Sequence, residues 1–202
     1  MRIRQEIVLG IGGLRALRAL GYDRLDTFHL NEGHAAFLCL EAIAECCRPG
    51  EPLDRSRARA AGRVVFTTHT PVPAGHDIFP PEMVAQCLGP YAAQRLHCSR
   101  EELLQLGASQ LHGPAFSMTE LALSVSRAAN GVSARHGEVS RAMFPGRPID
   151  SVTNGVHHPT WVAPANRALY DEFLPGWRHD PHRRANSKAL PDAELRQAHQ
   201  LS

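Results

Sequence analysis

The sequence predicts an α/β fold built on a parallel, doubly wound sheet, and three observations carry that expectation. Short apolar, β-branched runs alternate with longer segments of helical periodicity, the pattern of successive βαβ units. Several of these runs end in packets of polar, hydrogen-bonding residues: Phe28-His29-Leu30-Asn31-Glu32-Gly33-His34, Thr67-Thr68-His69-Thr70-Pro71 and Asn130-Gly131. In open α/β folds ligands bind where strands end and helices begin. The chain also has 202 residues, enough to bury a substantial core in one large domain or two small ones.

Taken in order, Ile3, Ile7, Val8, Ile11, Leu14, Leu17 and Leu20 recur at three- and four-residue spacings. This is a helix interrupted by Gly10, Gly12 and Gly13. The fragment Gly10-Ile11-Gly12-Gly13 imitates a dinucleotide loop, but Arg15 stands where the third glycine belongs and no strand precedes it. Glycines that let the helix approach a neighbour closely are the better reading. Gly21 ends the helix, and Tyr22 to Phe28 reads as a short buried strand. Ala35 to Cys47 is helical, and Arg48-Pro49-Gly50-Glu51-Pro52 stops it. Arg55 to Arg63 reads as a solvated helix face, and Val64-Val65-Phe66-Thr67 as the next strand.

Five prolines and glycines between Pro71 and Pro81 predict an ordered but irregular loop, carrying His76 and Asp77. Helices follow at Glu82–Leu88 and at Ser99–Leu106, the second with a capping box of Ser99 and Glu102. Thr119 to Val125 is a short helical run. Ala128 to Ser133 is a strand-to-helix junction leading into Ala134–Met143, and Ile149 to Val152 is a further strand ending at Thr153-Asn154-Gly155. From His157 onward proline, tryptophan and charge dominate, until Pro191 to Leu201 closes with a helical pattern.

Composition narrows the classes of function. Hydrophobic content of 43% and charged content of 21% are ordinary for a globular protein, and a net charge of +2 gives no case for nucleic acid or an anionic membrane as partner. No apolar run approaches the ~18 residues of a membrane span, and the N-terminus lacks the apolar core of a signal peptide. The five cysteines show no paired spacing and no CxxC, which argues for reduced thiols in a cytoplasmic protein.

The polar packets allow several chemistries. His29, Glu32 and His34 are ligand types for a metal, but the histidines are five apart across a glycine rather than four apart on a helix, and no spacing brings in His69 or His76. No G-x-S-x-G elbow presents a serine nucleophile. Neutral imidazole, amide and hydroxyl groups donate and accept hydrogen bonds without imposing charge, which suits a polyhydroxyl ligand such as a sugar. A sugar site is one idea among several on these residues alone.

At the same residues the chain resembles the α-glucan (glycogen, starch and maltodextrin) phosphorylases. His29-Leu30-Asn31-Glu32-Gly33-His34-Ala35 is similar to that family's Leu-Asn-Asp/Glu-x-His-Pro/Ala stretch, and Phe66 to Pro73 resembles its Thr-x-His-Thr-x-x-Pro segment. Ala128-Ala129-Asn130-Gly131-Val132-Ser133 with His136 resembles Ala-x-Asn-Gly-Val-Ala-x-x-His, and Thr153-Asn154-Gly155-Val156 with Trp161 resembles Thr-Asn-Gly-Ile/Val-x-x-x-x-Trp. The glutamate–glycine form of the first motif fits the bacterial and archaeal branch.

The resemblance implies a glycosyltransferase of GT-B type, with two Rossmann-like lobes facing a cleft. Such enzymes use pyridoxal 5′-phosphate and inorganic phosphate to release glucose 1-phosphate from an α-1,4-glucan. It implies that His69 and Asn130 contact the 6-hydroxyl of the transferred glucosyl unit, with the His69 carbonyl facing the developing positive charge. Asn31, Glu32, His34 and Thr70 are expected to line the same cleft. The family's cofactor lysine lies in a Ser-Gly/Asn-Met-Lys segment, which the only lysine, Lys188 in Ala185-Asn186-Ser187-Lys188-Ala189, does not match. That lysine and the phosphate-gripping segment are expected beyond Ser202. The chain is accordingly expected to be an internal fragment, inactive alone. Residues 1–130 are expected to form the back of the N-terminal lobe, and 131–202 the crossover and beginning of the C-terminal lobe. A homo-oligomer is open to the complete enzyme. Two other readings remain: a stand-alone carbohydrate-binding α/β module, and a sugar-nucleotide glycosyltransferase of the same overall fold.

Overall fold

The computed structural model describes every residue except Met1, Gln110, His112 and Ser202. It divides into two compact units, one ending at Asn154 and the other beginning at Gly155.

The larger unit opens with α1 (Arg2–Ile7), a turn of π-helix at Val8–Gly12 and α2 (Gly13–Ala19). Gly10 shows why the glycines interrupt the pattern. A Cβ there would sit 2.5 Å from the Leu38 nitrogen and 2.7 Å from the Phe37 carbonyl carbon, so only glycine lets this turn lie against the start of the next helix. Gly21, at φ +86°, terminates α2 in a Schellman motif: Tyr22 N–H donates to Leu17 C=O at 3.0 Å and Gly21 N–H to Arg18 C=O at 2.9 Å.

The expected strand from Tyr22 to Phe28 is displaced. Residues 22–27 are irregular and largely exposed, and β1 runs Phe28–Asn31. Asp23, Arg24 and Asp26 keep the approach in water, and pairing starts only where Phe28 meets Val64, the first residue of β2 (Val64–Thr68). His29 and Asn31 therefore belong to the strand itself, not to a loop after it. After β1 come a short 3₁₀ turn at Gly33–Ala35, α3 (Leu38–Cys46) and α4 (Leu53–Ala61), which pack against each other before β2.

Between β2 and the rest of the main sheet the chain forms β3 (Ile78–Phe79), α5 (Pro81–Tyr91), a π turn at Ala92–Leu96, and α6 (Arg100–Leu106). The capping box expected at α6 is present: Glu102 N–H donates to Ser99 Oγ at 3.2 Å, and Ser99 N–H to Glu102 Oε2 at 2.8 Å. β4 (Phe116–Ser117) pairs antiparallel with β3, a small second sheet that the proline-rich loop did not announce. Then follow α7 (Met118–Ser124), β5 (Ala128–Gly131), α8 (Ala134–Met143) and β6 (Ile149–Ser151).

The main sheet has the order β1-β2-β5-β6, all parallel. Its register puts Phe28 beside Val64, Leu30 beside Phe66, Phe66 beside Ala129, and Ala129 beside Ile149. These side chains are all buried and form the core face, next to which Phe37 stacks on Phe79 and Phe116. Alternation sends His29, Asn31, Thr67 and Asn130 to the other face. α7 packs on β2, and α8 on β5 and β6. No helix among the described residues is long and apolar enough to cross a membrane.

The smaller unit contains α9 (His158–Trp161), α10 (Pro164–Phe173), a 3₁₀ stretch at Pro181–Ala189 and α11 (Asp192–Gln200). Its core is Leu169, Leu174, Trp177, Leu190 and Ala198. The Trp177 indole N–H donates to Asp171 Oδ1 at 2.9 Å, so its one polar atom is satisfied inside that core. Helix α10 lies in the stretch where proline, tryptophan and charge dominate the sequence, and Pro164 sits in its first turn, where proline starts a helix instead of breaking one.

Candidate functional site

The strand register aligns the polar packets. Asn31 is level with Thr67, Thr67 with Asn130, and Asn130 with Asp150. Same-face residues on neighbouring parallel strands point the same way, and a chain of hydrogen bonds crosses three strands here. Thr67 Oγ1 donates to Asn130 Oδ1 at 2.9 Å, and His29 Nε2 lies 2.8 Å from Thr67 Oγ1. A hydroxyl has one proton to give. With that proton on the bond to Asn130, His29 Nε2 is the donor, which fixes the imidazole's protonated nitrogen. Asn130 Nδ2 donates to Gly131 C=O at 3.1 Å, and its second N–H remains for a ligand.

These side chains line a cleft of about 280 Å³ on the face opposite the core, formed by His29, Asn31, Thr67, His69, Asn130, Val152 and Asn154. Among the described residues that line it, none carries a formal charge; the groups are two imidazoles, three amides, a hydroxyl and one apolar side chain. Such a wall hydrogen-bonds in both senses and offers no counter-charge to an anion.

The turn after β5 is braced from behind. His136 is buried, and its Nδ1 accepts from Val132 N–H at 3.1 Å; its proton is therefore on Nε2, 3.4 Å from Ser140 Oγ. A Cβ at Gly131 would lie 2.9 Å from His136 Nδ1 and 3.0 Å from the Gly137 nitrogen. The Asn130-Gly131 pair thus needs glycine for close approach, and His136 sets the path of the backbone that presents Asn130. Ser133 Oγ caps α8 by accepting from His136 N–H at 3.1 Å.

Glu32 occupies a conformation foreign to side-chain-bearing residues, φ +75° and ψ +165°. Its carboxylate is engaged from both sides. Oε1 accepts from Gly33 N–H at 2.9 Å, and Oε2 accepts from His69 N–H at 2.7 Å and from Thr70 Oγ1–H at 2.9 Å. Its own N–H donates to Thr67 C=O at 2.9 Å. Glu32 therefore ties the loop after β1 to the loop after β2.

Of the residues singled out from sequence, His69, Asn130 and Asn31 come together in the cleft. Glu32 and Thr70 are bonded to each other, and His34 opens onto a separate cavity with Arg2, Gln5, Glu6 and Leu9. Thr67, His29, Val152 and Asn154 share the cleft and had no sugar-binding role from sequence. Strand parity was the signal for His29 and Thr67, since each is two residues from a partner on the same face. The metal reading of His29, Glu32 and His34 finds these three apart: the first bonds Thr67, the second the His69 loop, and the third faces the other cavity.

No family model matches the chain. Curated relatives do. The chain is 46% identical over 187 residues to a glycogen phosphorylase of Mycobacterium tuberculosis, an alignment covering 81% of this chain and 21% of that protein. It is 37% identical over 211 residues to the maltodextrin phosphorylase of Thermococcus litoralis, covering 98% of this chain and 24% of the relative. A glycogen phosphorylase of Aquifex aeolicus is 34% identical over 181 residues, covering 86% and 26%. The chain thus spans between a fifth and about a quarter of the length of these relatives.

Proposed function

We propose that this chain, which belongs by sequence to the α-glucan phosphorylases, forms the wall of the enzyme's cleft that holds the glucosyl unit being transferred from an α-1,4-glucan to inorganic phosphate. The premise is the identity to bacterial and archaeal phosphorylases along four-fifths or more of the chain. The observation that carries the reading is the uncharged, hydrogen-bonding lining at the C-terminal edge of the parallel sheet. A glucosyl ring presents hydroxyl groups, and the lining offers amides, imidazoles and a hydroxyl to pair with them.

In this reading Asn130 gives its free amide N–H to the 6-hydroxyl, and the His69 imidazole accepts that hydroxyl's proton in a hydrogen bond. The His69 carbonyl faces the positive charge that develops as the glycosidic bond breaks, an electrostatic role. Asn31, held level with Thr67, completes the wall. In this reading phosphate is gripped by residues elsewhere in the enzyme, and glucose 1-phosphate forms between this wall and the residues opposite. We assign residues 1–130 to the back of the N-terminal lobe of the complete enzyme, and 131–202 to the crossover and beginning of its C-terminal lobe. That lobe assignment is distinct from the division of this chain into two compact units. Five free cysteines suit the reducing cytoplasm.

The pyridoxal phosphate of this enzyme class does not fit the residues present. A Schiff base needs a lysine, and the only lysine, Lys188, is exposed on the 3₁₀ stretch of the smaller unit, in a segment unlike the cofactor-lysine motif of this enzyme class. In this reading the cofactor's lysine and phosphate site belong to the remainder of the enzyme.

The test is a segment exchange. Residues 2–201 replace the corresponding segment of the mycobacterial relative, and glucose 1-phosphate release from glycogen is measured on folded, cofactor-loaded protein. Release within ~100-fold of the relative's own rate supports the proposal, on the scale of one lost transition-state contact. A folded, loaded hybrid that releases none overturns it.

A further inference from the structure

We propose that Glu32 is a positioning residue that holds the His69–Thr70 peptide bond in its working orientation through a carboxylate clamp, and that its strained backbone exists to deliver that clamp. The inference rests on the glucan-phosphorylase reading of the cleft.

Two independent features of Glu32 point the same way. The first is its backbone, at φ +75° and ψ +165°, a region that glycine enters freely and a Cβ-bearing residue does not. A glycine would relax this turn, so a glutamate here is kept for its side chain. The second is where that side chain goes. Oε2 takes the His69 N–H at 2.7 Å and the Thr70 hydroxyl at 2.9 Å, and Oε1 takes the Gly33 N–H at 2.9 Å. The two donors to Oε2 lie on either side of one peptide bond, the one whose carbonyl belongs to His69.

That placement matters because β2 ends at Thr68, and His69 is exposed beyond the last sheet hydrogen bond. Its direction comes from the clamp, not from the strand. Three donors leave the carboxylate little capacity for a ligand, so Glu32 acts through His69 and not by touching sugar. The turn that carries it is held in turn: a Cβ at Gly33 would lie 3.2 Å from Thr119 Oγ1, which packs this corner onto α7. Charge also serves the purpose, since hydrogen bonds to an ionised acceptor are shorter and stronger than neutral ones. A glutamine cannot replace it. Its single oxygen satisfies one side, and its NH₂ then faces an N–H donor.

The experiment has one arm on the chain itself and one on the active hybrid. In the full chain, amide hydrogen exchange is measured for parent, Glu32→Gln and Glu32→Gly. Loss of the clamp raises exchange at His69 by ~10-fold or more in Glu32→Gly, while Phe66 within β2 stays protected; in Glu32→Gln, whose one oxygen still meets one side, exchange rises at His69 or at Gly33. Glu32→Gly also removes the backbone strain, so it folds at least as well as the parent, and His69 exchange in a folded Glu32→Gly variant that equals the parent's overturns the proposal. In the hybrid, Glu32→Gln lowers kcat by ~10- to 100-fold, the scale of a misplaced catalytic group, with KM for glucan changed less than ~3-fold. Unchanged kcat in an active hybrid overturns the proposal too. Failure of the parent hybrid to turn over counts against the phosphorylase reading instead, and the exchange result then decides the clamp alone.

Discussion

Replacing Thr67 with valine isolates the hydrogen-bond chain that crosses the sheet. The two side chains have nearly the same shape, and Thr67 is 8% exposed, so packing on the strand is preserved. What disappears is the hydroxyl that lies 2.8 Å from His29 Nε2 and donates at 2.9 Å to Asn130 Oδ1. Each such bond contributes ~0.5–1.5 kcal/mol net. His29 is exposed and regains water, so its share falls at the low end, whereas half-buried Asn130 loses more. The expected cost is ~1–2 kcal/mol. Both tryptophans, Trp161 and Trp177, lie in the smaller unit, so fluorescence is blind to this change and far-UV circular dichroism under urea is the assay. With a slope of ~2 kcal/mol per molar urea, the midpoint of the larger unit drops by ~0.5–1 M at unchanged slope. A cycle with Asn130→Ala returns a coupling of ~0.5–1.5 kcal/mol. An unmoved midpoint and zero coupling would mean that the hydroxyl carries no stability and does not hold Asn130.

Two further expectations concern the scaffold. Gly10→Ala puts a Cβ 2.5 Å from backbone of the next helix; overpacking of ~1–3 kcal/mol outweighs a helix-propensity gain of ~1, so the urea midpoint falls. Gly13→Ala meets nothing within 4 Å and raises it, so equal effects at the two positions would contradict the close-packing account. Glu6, 2% exposed, is pushed up from 4.5 to about 7 by burial, with Asp77 adding repulsion and Arg2 opposing it. A carboxyl whose folded pKa is raised stabilises fully below about 4.5 and loses that contribution as pH rises through about 7. The stability of the parent relative to Glu6→Gln therefore declines across that window, and a flat difference between about pH 4.5 and 8 would refute the assignment.

The alternation of strand and helix was legible because short, β-branched apolar runs such as Val64-Val65-Phe66 favour a sheet, and the chain's local signals agree with its topology. The α6 capping box and the Gly21 stop are local chemistry and read directly. Boundaries failed where long-range pairing decides them: β1 starts at Phe28 because Val64 waits there, not because of anything between Tyr22 and Thr27. The β3–β4 pair escaped notice for the same reason, since its partners are almost forty residues apart and each strand has two residues. Pro164 hid α10 because proline opens helices as readily as it ends them.

In the site, His69, Asn130 and Asn31 stood out as polar residues at strand ends. Glu32 stood out too, but its carboxylate has the geometry of a brace, and no spacing reveals a side chain folded back on the following loop. The π turn at Val8–Gly12 was likewise hidden, because an inserted residue in a helix leaves the apolar spacing almost unchanged.

The central claim is that this wall reads the 6-hydroxyl of a glucosyl unit through Asn130 and His69. The direct measurement is kcat/KM of the active hybrid for glucan extension, with glucose 1-phosphate and with its 6-deoxy analogue, for parent and Asn130→Ala. With the hydroxyl present, the substitution is expected to cost ~10- to 100-fold; with the hydroxyl absent, less than ~3-fold, because the contact is already gone. An equal loss on both donors would show that Asn130 does not meet that hydroxyl and would contradict the account.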